Sequence, residues 1–363
     1  MGCNSPMCSA CVRVRDMVMC AETKMPCSGE ELLIPNGTAL DPPHTAAQPA
    51  VPRGRHYTVS IAIPGSVIDN TQTTELATAV AGQIARTAAI FKIDEVVVVD
   101  DAVNRQEGTV GAGAAFLARV LQFMETPQYL RRALIPMHPD LRLAGALPPL
   151  DAPHHMRATE WAMYREGVVV SSIPGEGSLL NVGLDKDAYV PQALRANVRV
   201  TLQMGAQPTE MTLQQPSLGA GKQVLFGQLA KPSSPRETKG TYWGYTTRLA
   251  SSISQAFKDG PYGMYDLAVG TSERGTVVPG PDSLKLPPYQ HLLIAFGGPL
   301  GLEECVRQDP ALQSEHHDPQ PQKLFNLYCN TCPEQGSRTI RTEEALLISL
   351  SYLQSAIQKP HMQ

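Results

Sequence analysis

Residues 57–63 read Tyr-Thr-Val-Ser-Ile-Ala-Ile and run into Pro64-Gly65, while residues 93–99 read Ile-Asp-Glu-Val-Val-Val-Val. Both stretches are short and rich in β-branched side chains. The second is apolar over its last four positions, as a parallel strand covered on both faces must be. Between them Leu76, Val80, Ile84, Thr87 and Ala88 recur at helical spacing within Thr74–Ile90. Strand, helix and strand in close succession make a βαβ unit, which sets the fold class as α/β.

Outward from this unit, Ala112–Thr126 and Gln128–Leu134 continue as helices. The character changes between residues 144 and 234, where short strand-like runs (Gly167–Ser172, Asn197–Leu202, Gln223–Leu229) alternate with turns such as Pro174-Gly-Glu-Gly177. That texture predicts a small OB-like β-barrel module. Beyond it the spacing predicts a helix over Tyr245–Phe257, strands at Tyr265–Val269 and His291–Phe296, and a terminal helix over Arg341–Gln358. The expected organisation is one discontinuous α/β domain (55–143 and 235–363) interrupted by the module (144–234). Residues 1–54 are rich in Cys, Pro, Thr and Ala without a sustained period, and are expected to be a flexible tail.

Composition narrows the class further. The 363 residues carry a formal net charge of −4, which neither announces a nucleic-acid binder nor excludes a local basic groove. No apolar run approaches the roughly 20 residues that span a bilayer, and Cys, Arg, Asp and Pro interrupt any secretory pattern near residue 1. A soluble intracellular protein with no membrane partner is expected. Five of the eight cysteines fall in the first 27 residues. Cys8-x-x-Cys11 and Cys329-x-x-Cys332 have suggestive spacing, but no second pair completes a metal site, so no metal is expected. Gly111-Ala-Gly113 is a partial dinucleotide fingerprint that lacks its third glycine and follows its strand too late to bind a dinucleotide.

The C-terminal third concentrates the chemistry. Leu292-Leu-Ile-Ala-Phe296 ends on Gly297-Gly298-Pro299, and Leu327-Tyr-Cys-Asn330-Thr331 ends on small polar residues. Gly336-Ser-Arg-Thr-Ile340-Arg341-Thr342-Glu-Glu-Ala345 is a glycine-led loop entering a helix that Ser337 or Thr342 would cap. Ligands in open α/β sheets bind at the carboxyl edge, where glycine lets a backbone approach them. In the β-rich part, Asp151-Ala-Pro-His154-His155-Met156-Arg157 is open between an ordinary loop, an RNA contact and a metal pair. Tyr242-Trp243-Gly244-Tyr245 is open between core packing and base stacking.

The 336–345 loop is similar to the GxRxLRxETA loop of the uridine-N3 branch of the SPOUT RNA methyltransferases. Ala295-Phe-Gly-Gly-Pro-Leu-Gly-Leu-Glu-Glu304 resembles that group's GPEGG loop without its Gly-Pro-Glu, and residues 81–99 resemble its first motif. The resemblance spans residues 55 to 358. It implies a deep trefoil knot, a homodimer whose active sites are each completed by the partner, and S-adenosyl-L-methionine as cofactor. Carried over residue by residue, Arg274 would contact the cofactor's carboxylate or hydroxyls. Gly297 and Gly298 would admit it, Asn330 and Thr331 would hold its adenosine end, and Gly336 and Ile340 would line the pocket. Arg86 would face RNA, and Arg86 or Arg341 would favour the deprotonated nucleobase; His154, His155 and Arg157 are the candidate RNA contacts of the module. Ribosomal RNA is the implied substrate. Kinetochore or spindle partners, and a nuclear and cytoplasmic location extending to the centromere and mitotic spindle, are implied as well. The rival expectation is a catalytically idle SPOUT scaffold that binds RNA or such partners.

Overall fold

The structure, a computed structural model, describes residues 54–102, 109–278, 280, 283–315 and 320–359, with a short strand pair at Cys11–Val14 and Met17–Cys20. The chain divides into two units, Met1–Val51 and Pro52–Gln363. Apart from those two strands, the expected flexible tail lies outside the described residues. Both larger sheets belong to the second unit.

Six parallel strands form one sheet, in the order Thr246–Ala250, Glu95–Val99, Thr58–Pro64, His291–Ala295, Leu267–Val277, Leu327–Asn330. Successive residues feed opposite faces. Ile61, Ile63, Val96 and Val98 join Ile84, Leu117 and Leu350 from the helices Thr74–Ile90, Ala112–Glu125 and Thr342–Gln358. Ala62, Val97, Val99 and Leu293 join Ile253, Leu302 and Val306 on the other side. Covering on both faces explains the unbroken valines, each fully buried aliphatic side chain contributing about 1.5–3 kcal/mol. Helix Thr74–Ile90 starts at Thr73, whose hydroxyl accepts from the Leu76 amide at 3.3 Å. Its buried face runs through Ala77, Val80, Ala81, Ile84, Ala85 and Ala88, while Leu76 is 51% exposed.

Residues 245–257 depart from expectation. They form an edge strand, Thr246–Ala250, and a short helix, Ile253–Lys258, rather than one helix. Arg248 fixes the strand through its Nε, which donates to the buried Glu95 at 2.8 Å. Ser252 then starts the helix by accepting from the Gln255 amide at 3.3 Å. The helical spacing was real, but β-branched Thr246 and Thr247 and the parallel pairing with residues 95–99 outweigh it.

The strands of a second, seven-stranded mixed sheet come from residues 164–230, in the order Gln228–Ala230, Arg199–Gln203, Tyr164–Ile173, Gly177–Asn181, Ala188–Val190, Gln223–Phe226, Glu210–Thr212. It carries apolar clusters around Val169, Leu180 and Leu202 and around Leu179, Tyr189 and Val224. A buried ionic node joins this sheet to the parallel one. Arg199 donates to both carboxylate oxygens of Glu125, at 2.6 and 3.0 Å, and to Glu166 at 2.6 Å. Trp243 and Thr201 donate to the other Glu166 oxygen. Gly244 adopts φ +86°, and a Cβ there would run into the Glu125 carboxylate, which is why the aromatic cluster is interrupted by glycine. No described helix is long and apolar enough to cross a membrane.

Removing one partner of a buried ion pair strands the other. Glu125→Ala should therefore lower the unfolding free energy by about 3 kcal/mol, measured by urea denaturation, with both sheets lost in the same transition.

Candidate active site

At the carboxyl edge of the parallel sheet a cavity of about 560 Å³ opens between four loops and the start of the terminal helix. Its shape follows from three local features. The Leu267–Val277 strand slips register against Leu327–Asn330 between Thr271 and Thr276, and this bulge throws Ser272, Glu273 and Arg274 toward the cavity. The strand His291–Ala295 ends on Gly297 and Gly298. A Cβ on Gly297 would collide with the backbone of Gly301 and Leu302, and one on Gly298 would lie 2.6 Å from the Ser66 hydroxyl. Only glycine permits this close approach. Finally, Thr342 donates from its hydroxyl to the Gly297 carbonyl at 2.8 Å, pinning the helix start against that loop.

Thr342 is thus not the cap expected from the sequence. Arg341 occupies the N-cap, and its amide donates to the Glu344 carboxylate at 3.0 Å, so the acid three residues on closes the helix end.

Arg274, Gly297, Gly298, Asn330, Thr331, Ile340 and Arg341 all line the cavity. The Arg274 guanidinium makes no hydrogen bond or ion pair among the described residues, leaving five donors available. The Asn330 amide group donates to the Glu273 carbonyl at 2.9 Å and its oxygen accepts from the Cys332 amide at 2.9 Å. The Thr331 and Ser349 hydroxyls pair at 2.7 Å. These two side chains therefore shape the wall by tying the bulge and the terminal helix to the last strand. Arg341 is 65% exposed, with Glu343 at 3.7 Å, a distance worth little at a surface.

Other expected residues stand elsewhere. Gly336 lies outside the lining, though Gln335 and Thr339 contribute to it, and a Cβ there meets nothing within 4 Å. Arg86 donates to the carbonyls of Pro149 and Leu150 at 2.9 and 3.0 Å, away from the cavity of its own chain. His154, one of the candidate RNA contacts, is 0% exposed, with Nε2 3.0 Å from the Glu125 carboxylate. His155 Nε2 lies 2.7 Å from the Glu125 carbonyl, so the pair braces the ionic node rather than presenting two rings to solvent. Arg157 is exposed. Tyr242 and Tyr245 pack in the core. Gly113 is a packing glycine whose Cβ would strike Gly65 and Asp69.

Several lining residues were not singled out in the sequence. Phe296, Ile348 and Val80 give the cavity apolar surface, and Asn70 and Thr71 join from the turn after the short helix Ser66–Asp69. Glu303 is the most consequential. Its Oε1 accepts from the Ser272 and Tyr328 hydroxyls, each at 2.9 Å. Burial alone would raise its pKa, but its own amide, Ser272, Tyr328 and the Arg274 charge hold the carboxyl below its ordinary range. The signal was present in the consecutive acids Glu303-Glu304 following the glycine loop.

Residues 58–353 match the family described as "Putative RNA methyltransferase". The chain belongs to this RNA methyltransferase family. It is 46% identical over 317 residues to the 28S rRNA (uridine-N(3))-methyltransferase of Homo sapiens, covering 84% of this chain and 80% of that protein. The protein of the same name in Mus musculus is 46% identical over 317 residues, covering 84% of this chain and 78% of its own. That of Drosophila melanogaster is 44% identical over 319 residues, covering 83% of this chain and 62% of its own. The family requires a methyl donor.

His155 gives a pH signature. Burial, with His154 alongside, depresses His155 from 6.5 to about 4 against the weaker pull of Glu125, with the Arg131 charge also opposing protonation. The unfolded chain then binds more protons than the folded one between those values, so this group's contribution to stability falls as pH drops from 6.5 toward 4. In His155→Gln that component should vanish. Urea midpoints at pH 7, 6 and 5 should fall less steeply for the variant than for the wild type.

Proposed function

We propose that this chain transfers a methyl group from S-adenosyl-L-methionine to N3 of a uridine in large-subunit ribosomal RNA. The observation that carries the reading is the convergence on one cavity of three small-residue loops and an arginine with no partner among the described residues, in a chain whose relatives are named as 28S rRNA uridine-N3 methyltransferases. The cavity volume lies within the usual range for small-molecule sites. Apolar Val80, Phe296 and Ile348 suit a purine, and the Arg274 guanidinium suits a carboxylate or ribose hydroxyls.

When bound, the donor supplies a methyl group already activated on a sulfonium. The protein's part is orientation and charge. Gly297 and Gly298 bring backbone to the ligand, Asn330 and Thr331 form the wall at its adenosine end, and Ile340 with the Gly336-led loop closes over it. Uridine N3 must lose its proton before attack, and the exposed positive charge of Arg341 at the cavity rim favours that state. Arg86 acts on RNA from outside its own cavity, within a homodimer whose sites are each completed by the partner. Arg157 extends the RNA contact onto the module.

A knotted methyltransferase domain over 55–143 and 235–363, around an OB-like barrel at 144–234, completes the proposed architecture. The knot rests on the family resemblance, and the Thr342–Gln358 helix packs against the loops at Gly297 and Thr331. The seven-stranded sheet with an apolar cluster of its own supports a separate β-rich module, and the barrel rests on the texture of the sequence. Resemblance alone supports a nuclear and cytoplasmic location with kinetochore or spindle partners.

Incubating the chain with large-subunit ribosomal RNA and methyl-labelled S-adenosyl-L-methionine should yield 3-methyluridine in nucleoside mass spectra. An R274A/N330A variant should lower the rate about tenfold to a hundredfold, the scale of a lost charge-assisted hydrogen bond. Absence of 3-methyluridine, or an unimpaired variant, would overturn the reading.

A further inference from the structure

The cavity holds two opposite charges that the fold leaves partly unused. The Arg274 guanidinium has no partner among the described residues. Glu303 spends Oε1 on Ser272 and Tyr328, while no side chain among the described residues donates to its Oε2. No ion pair joins the two residues, although both line the same cavity.

One side chain organises both. Ser272 Oγ accepts from the Arg274 amide at 3.1 Å and donates to Glu303 at 2.9 Å. The bulge therefore fixes the arginine's backbone and the glutamate's carboxylate from a single hydroxyl. Tyr328, from the neighbouring strand, locks the carboxylate from the other side. Ionised and half-buried, Glu303 keeps a lone-pair edge that needs a donor, and a guanidinium held apart from it needs an acceptor. An α-amino acid carries both groups on one carbon.

We propose that Glu303 and Arg274 together read the amino-acid end of the methyl donor, Glu303 accepting from its α-ammonium and Arg274 donating to its α-carboxylate. This rests on the methyl-donor reading of the cavity and adds to it a specificity-determining residue. The apolar surface of Val80, Phe296 and Ile348 is left for the adenine. The charged pair then distinguishes the donor from nucleosides that share its adenosine.

The test is calorimetric titration of the full chain with S-adenosylhomocysteine and with 5′-methylthioadenosine, which keeps the adenosine and sulfur but lacks the amino acid. The wild type should bind the first more tightly. E303Q keeps an acceptor for Ser272 and Tyr328 while losing the charge. It should weaken S-adenosylhomocysteine about tenfold, or about 1.4 kcal/mol, and leave 5′-methylthioadenosine unchanged. Its melting temperature without ligand should match the wild type, and E304Q, one residue along the same helix, should bind both ligands normally. Equal weakening of both ligands would assign Glu303 to the ribose or to structure, and no weakening would leave it without a ligand role; either overturns the inference. A wild type that binds both ligands equally would overturn the inference but spare the cofactor reading. A wild type that binds neither would overturn both.

Discussion

The hydrogen bond from the Thr342 hydroxyl to the Gly297 carbonyl is the constraint on which the site depends. It joins the beginning of the terminal helix to the loop that leaves the His291–Ala295 strand, two points 45 residues apart in sequence. That contact holds the Thr339–Arg341 segment over the cavity from its helical end. The Thr331–Ser349 pair makes a second tie lower on the same helix, so the helix is anchored to two neighbouring loops at once. Such a bond contributes only about 1 kcal/mol. Its consequence is positional, because it decides where the backbone and charges of 339–343 stand.

The rest of the molecule can be understood as what makes this edge rigid. Parallel strands bring their carboxyl ends to one side, and burial on both faces fixes their register. The bulge between Thr271 and Thr276 then converts the end of a strand into a ligand-facing loop without disturbing the core beneath it. On the opposite flank of Ala112–Glu125, the Glu125–Arg199–Glu166 node holds the second sheet through charge-assisted bonds. Glu125 stays ionised there because Arg199 and His154 outweigh the cost of burial. A node of this kind is specific in geometry and intolerant of losing a single partner.

Much of the parallel sheet was legible in the sequence because its signals are local. Continuous valines mean burial on both faces, and strands ending on Gly297-Gly298 or Asn330-Thr331 mark a carboxyl edge. Arg274, Gly297, Gly298, Asn330, Thr331, Ile340 and Arg341 were legible for the same reason, each lying at a strand end or in a loop of distinctive composition, whereas Val80, Glu303 and Ile348 reach the cavity from helices and were not. The partners were not. Nothing in the order of residues says that Asn330 bonds the Glu273 carbonyl, or that Glu303 receives Ser272 and Tyr328, since these pairs meet only when three strands are in register. The histidines were left open, because nothing local chooses between a loop, an RNA contact and a metal pair; Glu125, 29 residues away, supplies the buried acceptor that holds His154 inward. Likewise the helical spacing of 245–257 was overruled by an edge position that only tertiary pairing creates.

The central claim is that the methyl donor occupies this cavity under the terminal helix. Hydrogen–deuterium exchange with and without S-adenosylhomocysteine tests it most directly, because protection maps the ligand onto the chain. The account predicts slowed exchange in segments 271–275, 296–303, 330–332 and 339–349, with the seven-stranded sheet unchanged. Protection confined to the Gly111–Gly113 helix start or to residues 164–230, or no protection anywhere, would contradict it.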